Sequence, residues 1–244
     1  MPELPEVETI RRQLQKIIVG KKLSGKEITA VRRRAKLLII DFKDGSSLVF
    51  HLKMSGQLIL NGQPLKHTRK IFKFNDGSTL VFNDMRKFGW WKRVKNSQIL
   101  EKDFGPEALK INLISLKNCL KSHPKIKIKQ FLMNQHFIAG IGNIYSDEIL
   151  FASKIHPAKQ VGKLNDRQIK LLHQNIKKIL EKAVEYKGSS LKDYFDASGQ
   201  KGDYVKYHQV YQKEGSKCSR CTSKIKRIKI GGRSAHFCPN CQKL

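Results

Sequence analysis

The apolar residues of this chain change their spacing near residue 100, and no fold of a single class accommodates both patterns. From Lys26 to about Val94 they fall in short β-rich runs, ITAV, LLIIDF, SLVFHL, QLIL, KIFKF, TLVF and WWKRV, separated by turn pairs such as Asp44-Gly45, Asn61-Gly62 and Asp76-Gly77. Closely spaced antiparallel strands predict a sandwich or barrel-like β domain. Beyond FGPEAL at 104–109 the spacing becomes helical over roughly 111–120, 125–134, 142–153, 165–186 and 189–195. Ahead of the strands, Val7, Ile10, Leu14, Ile17 and Ile18 recur at three- and four-residue steps with Gly20 just beyond, which predicts an amphipathic helix over 3–19. The expected fold is therefore α+β and multidomain, with a boundary near 105–125 and no internal repeat.

Four cysteines, Cys218, Cys221, Cys238 and Cys241, form two C-x2-C pairs separated by sixteen residues. Each pair can supply two corners of a thiolate tetrahedron, and the intervening stretch has the length of a β-hairpin, so the pattern predicts one structural Zn²⁺. Two disulfides are the alternative, with nothing in the chain indicating an oxidising compartment. Cys119, alone in a helical stretch, reads as a small core residue.

The balance of 49 Lys+Arg against 20 Asp+Glu leaves a net charge of +29. Excess of this size favours a polyanion, nucleic acid first and an anionic membrane surface second. With 39% hydrophobic residues the chain can bury a core, which excludes a disordered basic tail. It has no apolar run of about 18 residues to span a bilayer, and it opens with Glu3, Glu6 and Glu8 rather than a basic leader.

Removal of Met1 would leave Pro2 with a free secondary amine. An α-amino group titrates near pH 8, so an appreciable fraction is nucleophilic at pH 7 without special tuning. Glu3 beside it could move protons. The same residues also suit a helix N-terminus, where proline and acids are favoured on backbone and dipole grounds.

MPELPEVETI at the N-terminus, RRRAKLL at 32–38, HLKMSG at 51–56, DMRKFG at 84–89, GPEAL at 105–109, IAGIGNIYSDEILF at 138–151 and the terminal cysteines follow one another along the whole chain. On these blocks it resembles a bacterial formamidopyrimidine-DNA glycosylase of the Fpg/Nei family. The resemblance implies an N-terminal helix on an antiparallel β-sandwich over 1–105 and a linker over 106–124. It further implies a helical domain with a helix-two-turn-helix and a lesion-covering loop over 125–210, then a zinc-finger β-hairpin over 211–244, with DNA in the cleft between halves. It implies a monomeric, cytoplasmic, nucleoid-associated repair enzyme without membrane contact, which excises oxidised purines, 8-oxoguanine and formamidopyrimidines, from duplex DNA. Cleavage would follow by β,δ-elimination through a Schiff base on Pro2.

The resemblance also assigns roles. Glu3 would assist ring opening; Glu6 would contact the sugar or support the site, or be only a first-turn acid. Lys36, His51, Asn143 and Arg233 would hold phosphates, although His51 also reads as a satisfied strand histidine and Asn143 as a helix cap. Met54, Arg86 and Phe88 would fill the void left by the extruded base, with Arg86 reading the orphaned cytosine; Met54 and Phe88 taken alone read as core. The stretch 187–211 is similar to the loop that covers an oxidised purine, and its composition fits an idle linker as well. Three positions depart from the family's habit: Lys53 where glycine is common, Met85 where proline is common, and Lys87 where a second arginine is common. The segment between the first helix and the lysine motif, 21–35, is also short.

Two other readings fit parts of the pattern. An endonuclease VIII type enzyme for oxidised pyrimidines shares Pro2, Glu3 and the finger, but Phe88 and the long covering segment argue against it. A nonenzymatic zinc-ribbon nucleic-acid binder would use the charge but has no need of a secondary amine at its N-terminus.

Overall fold

The computed structural model describes residues 1–244, and its contacts divide the chain into two compact units. The first comprises Met1–Asp103 with Ala183–Lys206, the second Phe104–Lys182 with Tyr207–Leu244.

In the first unit, helix α1 (Leu4–Ile18) begins where Glu6 Oε2 accepts the Glu3 backbone N–H at 2.7 Å, a reciprocal cap that satisfies an otherwise orphaned donor. Its buried face is Val7, Ile10, Leu14 and Ile18. It packs on a five-stranded antiparallel sheet ordered β1-β2-β3-β4-β8, made of β1 (Lys22–Leu23), β2 (Lys26–Arg34), β3 (Leu37–Phe42), β4 (Ser47–His51) and β8 (Trp90–Val94). A second antiparallel sheet, ordered β5-β7-β6, contains β5 (Gly56–Leu60), β6 (Thr68–Lys73) and β7 (Thr79–Asp84). Alternate residues of both sheets, among them Leu38, Ile40, Leu58, Leu80 and Phe82, share one core with α1, as period-2 patterning requires. Phe50 of β4 meets Phe72 and Phe82 of the other sheet edge-on, with centroids 5.5 and 6.0 Å away, the geometry that the ring quadrupoles favour. Every expected strand is present, and the short segment after α1 holds β1 and β2. A one-turn helix, α2 (Gln98–Glu101), follows β8 without a sequence signal.

In the second unit, residues 106–124 are not an extended linker: Ala139 donates to Pro106 O and Ala108 to Ala139 O, and α3 (Leu113–Lys121) lies within the stretch. Gly105 is needed there, since a Cβ would stand 2.5 Å from His136 O. Helices α4 (Ile128–Met133) and α5 (Asn143–Ala152) flank two successive turns braced by one side chain, Gln135, whose amide bonds Met133 O, Ile141 O and the Gly140 N–H. This is the helix-two-turn-helix. Helix α6 (Asp166–Glu185) follows, and β9 (Lys226–Ile230) pairs antiparallel with β10 (Arg233–Phe237) as the terminal hairpin.

The helical expectation for 189–195 is corrected, because no helix forms there. Ser190 Oγ donates to Tyr194 O and accepts the Gly202 N–H, and Asp196 Oδ1 accepts from Ser198 and Gln200. These local side-chain bonds displace the helical pattern. Residues 183–206 also belong with the first unit rather than with 125–182.

Candidate functional site

Pro2 and Glu3 head α1 and are buried, Glu3 to 1% exposure, while Met1 is exposed. Glu6 is equally buried and bonds in two directions, to the Glu3 N–H through Oε2 and to the Ser189 N–H through Oε1 at 2.8 Å. Tyr194 Oη reaches Glu6 O at 3.3 Å, and Tyr194 and Ala197 lie in the core of this unit. The stretch expected as a mobile cover is thus anchored to α1 along 189–197.

Lys36 follows a left-handed residue, Ala35 (φ 53°), at the β2–β3 turn, and is buried. The turn is braced by Arg33, which donates to Ala35 O at 2.8 Å and to Glu8 at 3.1 Å. Burial would raise the Glu8 carboxyl, but Arg11, Arg12 and Arg33 outweigh it and hold the group below the usual carboxylate range. Neither Glu8 nor Arg33 stands out in the sequence as more than one charge among many.

His51 ends β4 opposite Leu37, the residue after Lys36. Burial first, then the charges of Lys53 and Lys36, push its imidazole down to about 3. The Lys53 backbone N–H donates to Nδ1 at 3.0 Å, so the ring is neutral with its proton on Nε2, a donor suited to a phosphate oxygen.

Met54, Arg86 and Phe88 are exposed, at 37% for Met54 and 57% for Phe88, which removes the core alternative for both apolar residues. Their loops are tied together: buried Asp84 accepts the Ser55 hydroxyl at Oδ1 and the Gly89 N–H at Oδ2, both at 2.6 Å, and Ser55 Oγ accepts the Arg86 N–H at 3.0 Å. The Arg86 guanidinium lies 5.2 Å from the Phe88 ring centroid. Lys53 and Lys87, two of the departures, take left-handed backbone conformations at φ 50° and 59°. Asp84 and Ser55 escaped the sequence reading, although both sit inside the blocks DMRKFG and HLKMSG.

In the second unit Asn143 is the first residue of α5, and its Nδ2 lies 3.4 Å from Ser234 Oγ, next to exposed Arg233. Asn143 Oδ1 is buried without a hydrogen-bond partner. Glu148 accepts the N–H groups of Gln209, Val210 and Tyr211; burial raises its carboxyl and these bonds offset the rise only in part. Arg220 stacks over Phe151 and donates to its carbonyl, fastening the cysteine module to α5.

The four cysteine sulfurs lie within 4.8 Å of one another. Cys218–Cys241, Cys221–Cys238 and Cys221–Cys241 are 4.0, 3.4 and 3.5 Å apart. These spacings fit the edges of a tetrahedron with Zn–S bonds of about 2.3 Å and are far longer than a disulfide of about 2.05 Å. Hydrogen bonds from Ser223 and Asn240 draw the Cys221 thiol down to about 5, whereas burial pushes Cys241 up to about 12, so a divalent cation is what would ionise the full set. The ligand set holds one structural Zn²⁺.

Three family models match: the formamidopyrimidine-DNA glycosylase N-terminal domain over 19–91, its H2TH domain over 104–194, and a zinc finger found in FPG and IleRS over 215–244. A formamidopyrimidine-DNA glycosylase of Lactococcus lactis subsp. cremoris is 40% identical over 275 positions, covering 100% of both chains. That of Carboxydothermus hydrogenoformans is 40% identical over 273 positions, again with 100% of each covered. Among solved structures, Lactococcus lactis Fpg complexed with DNA containing an abasic site superimposes with a TM-score of 0.91 at 38% identity, covering 99% of this chain and 100% of that one. The MutM (Fpg) protein of Thermus thermophilus gives 0.92 at 34%, covering 99% and 98%. The chain belongs to the formamidopyrimidine-DNA glycosylase family. It is a DNA glycosylase, a zinc-finger repair enzyme that acts on damaged DNA, and no helix in it is long and apolar enough to cross a membrane.

Proposed function

We propose that this enzyme excises oxidised purines, 8-oxoguanine and formamidopyrimidines, from duplex DNA and then cleaves the abasic site through Pro2. Once Met1 is removed, the Pro2 nitrogen lone pair attacks C1′, the glycosidic bond breaks and the base leaves with its electron pair and a proton. Ring opening at C1′–O4′, with Glu3 passing a proton to O4′, yields the iminium. Loss of a C2′ proton expels the 3′ phosphate, and a second elimination expels the 5′ phosphate. The observation that carries this reading is the burial of Glu3, the residue after Pro2, at the capped head of α1, which supports positioning for proton transfer.

Lys36 and neutral His51 serve one phosphate cluster and Asn143 with Arg233 another. Asn143 Nδ2 donates one N–H to Ser234 Oγ beside Arg233, and its second N–H supports the latter as a donor to a phosphate oxygen. The Lactococcus lactis Fpg has also been solved with DNA carrying N7-benzyl-Fapy-dG, in keeping with a purine-derived substrate here. Borohydride trapping on a duplex with 8-oxoguanine opposite cytosine tests the assignment. The processed protein should form a covalent adduct that Pro2→Gly loses while retaining duplex binding; equal trapping by Pro2→Gly would overturn it.

A further inference from the structure

We propose that Asp147 is a positioning residue, whose buried carboxylate sets the strand carrying Arg233 in register with the helix carrying Asn143. The proposal rests on the phosphate-contact reading of those two residues.

Asp147 and Lys129 have fully buried side chains, and that of His236 is 6% exposed. Lys129 Nζ, from α4, donates to Asp147 Oδ1 at 2.5 Å and to Ser146 Oγ at 3.3 Å. Asp147 Oδ2 accepts the His236 backbone N–H at 2.9 Å and lies 3.0 Å from His236 Nδ1. One carboxylate thus joins α4, α5 and β10. Asp147 stands four residues after Asn143, about one helical turn, and His236 three residues after Arg233, roughly 10 Å of extended strand. The Asn143–Ser234 contact closes the same frame from its other end.

A buried ion pair is weak grounds for stability, because desolvating both charges offsets most of their attraction, and apolar residues of similar volume hold helices together as well. What an apolar residue at 147 cannot do is accept the His236 amide. That amide lies three residues from the arginine offered to DNA, and a strand that slides or rotates there moves the guanidinium off its phosphate. The acceptor is therefore the element the site needs, and Lys129 keeps it aimed.

Changing Asp147 alone strands the Lys129 charge and would unfold the unit, so two charge-free pairs separate the roles. K129M/D147N keeps an acceptor at 147; K129M/D147L removes it. The probe is a duplex with a tetrahydrofuran abasic analogue, titrated at several salt concentrations, beside melting curves and zinc content. K129M/D147N should bind within about threefold of the parent with its salt slope intact. K129M/D147L should melt cooperatively with one zinc, yet bind roughly tenfold or more weakly with a slope reduced by about 1 to 2, the loss of one or two phosphate contacts. Arg233→Ala in the parent calibrates one contact at about 0.9. An unchanged slope in K129M/D147L, equal losses in both pairs, or failure of K129M/D147L to fold overturns the positioning role. An unchanged slope in Arg233→Ala overturns the phosphate reading, and the proposal with it.

Discussion

Glu6 joins two parts of the chain 183 residues apart, accepting the Ser189 backbone N–H at 2.8 Å beside the cap of α1. Gly188 makes the approach possible: its φ is +80°, and a Cβ there would stand 2.7 Å from Glu6 Oε1. Gly188→Ala combines a left-handed penalty of about 1–2 kcal/mol with displacement of the carboxylate. The expected outcome is a lower melting temperature together with a fall in borohydride trapping larger than the fraction unfolded explains. Trapping at the parental level would mean that Glu6 need not stay where this contact holds it.

His51 gives the fold a defined response to acid. Its pKa is about 3 in the folded protein against about 6.5 for a free imidazole. Between these values the unfolded chain binds the extra proton, so stability rises with pH there: the contribution is complete above about 6.5 and is lost as pH falls toward 3. By pH 5 the loss from this residue is on the order of 1–2 kcal/mol. His51→Gln should flatten that part of the stability profile, leaving the slope contributed by His208, which burial pushes down to about 4, and by His156, which burial also lowers. Denaturant titrations of both proteins between pH 4 and 8 provide the check.

Much of this architecture was legible because it rests on local periodicity. Val7, Ile10, Leu14 and Ile18 marked α1, the alternation of Leu38 and Ile40 marked an inward strand face, and the cysteine spacing marked the metal. The misread segments fail for physical reasons. Ser190 and Asp196 divert the backbone of 189–196 into side-chain bonds that hydrophobic spacing does not record. Asp84, Ser55, Asp147 and Lys129 act through partners distant in sequence, and nothing in a run of letters distinguishes a buried lysine from the many solvated ones around it.

Lys53 occupies a backbone conformation that glycine adopts freely, at φ 50°. Lys53→Gly removes a strain of about 1–2 kcal/mol and adds back roughly 0.4–1 kcal/mol of unfolded-chain entropy. The melting temperature should therefore hold or rise slightly. If the lysine repays its strain by contacting a phosphate, the salt slope for DNA binding should fall by about 0.9. A lower melting temperature with an unchanged slope would assign Lys53 to the fold instead.

Arg86 and Phe88 share one loop and should fail differently. Phe88 is 57% exposed, so Phe88→Ala should leave the melting temperature nearly unchanged while slowing excision opposite every partner base, because lost stacking is insensitive to base identity. Arg86→Ala should instead relax the preference for cytosine, one good base contact being worth about 1–3 kcal/mol of discrimination. The Arg86 backbone N–H remains bonded to Ser55 Oγ in that variant, so the loop keeps its anchor and the effect reports on the guanidinium. Single-turnover excision of 8-oxoguanine opposite each of the four bases separates the two. A uniform loss by Arg86→Ala with the opposite-base preference intact would remove its reading role, and a large melting shift in Phe88→Ala would mean that the ring stabilises the loop rather than entering DNA.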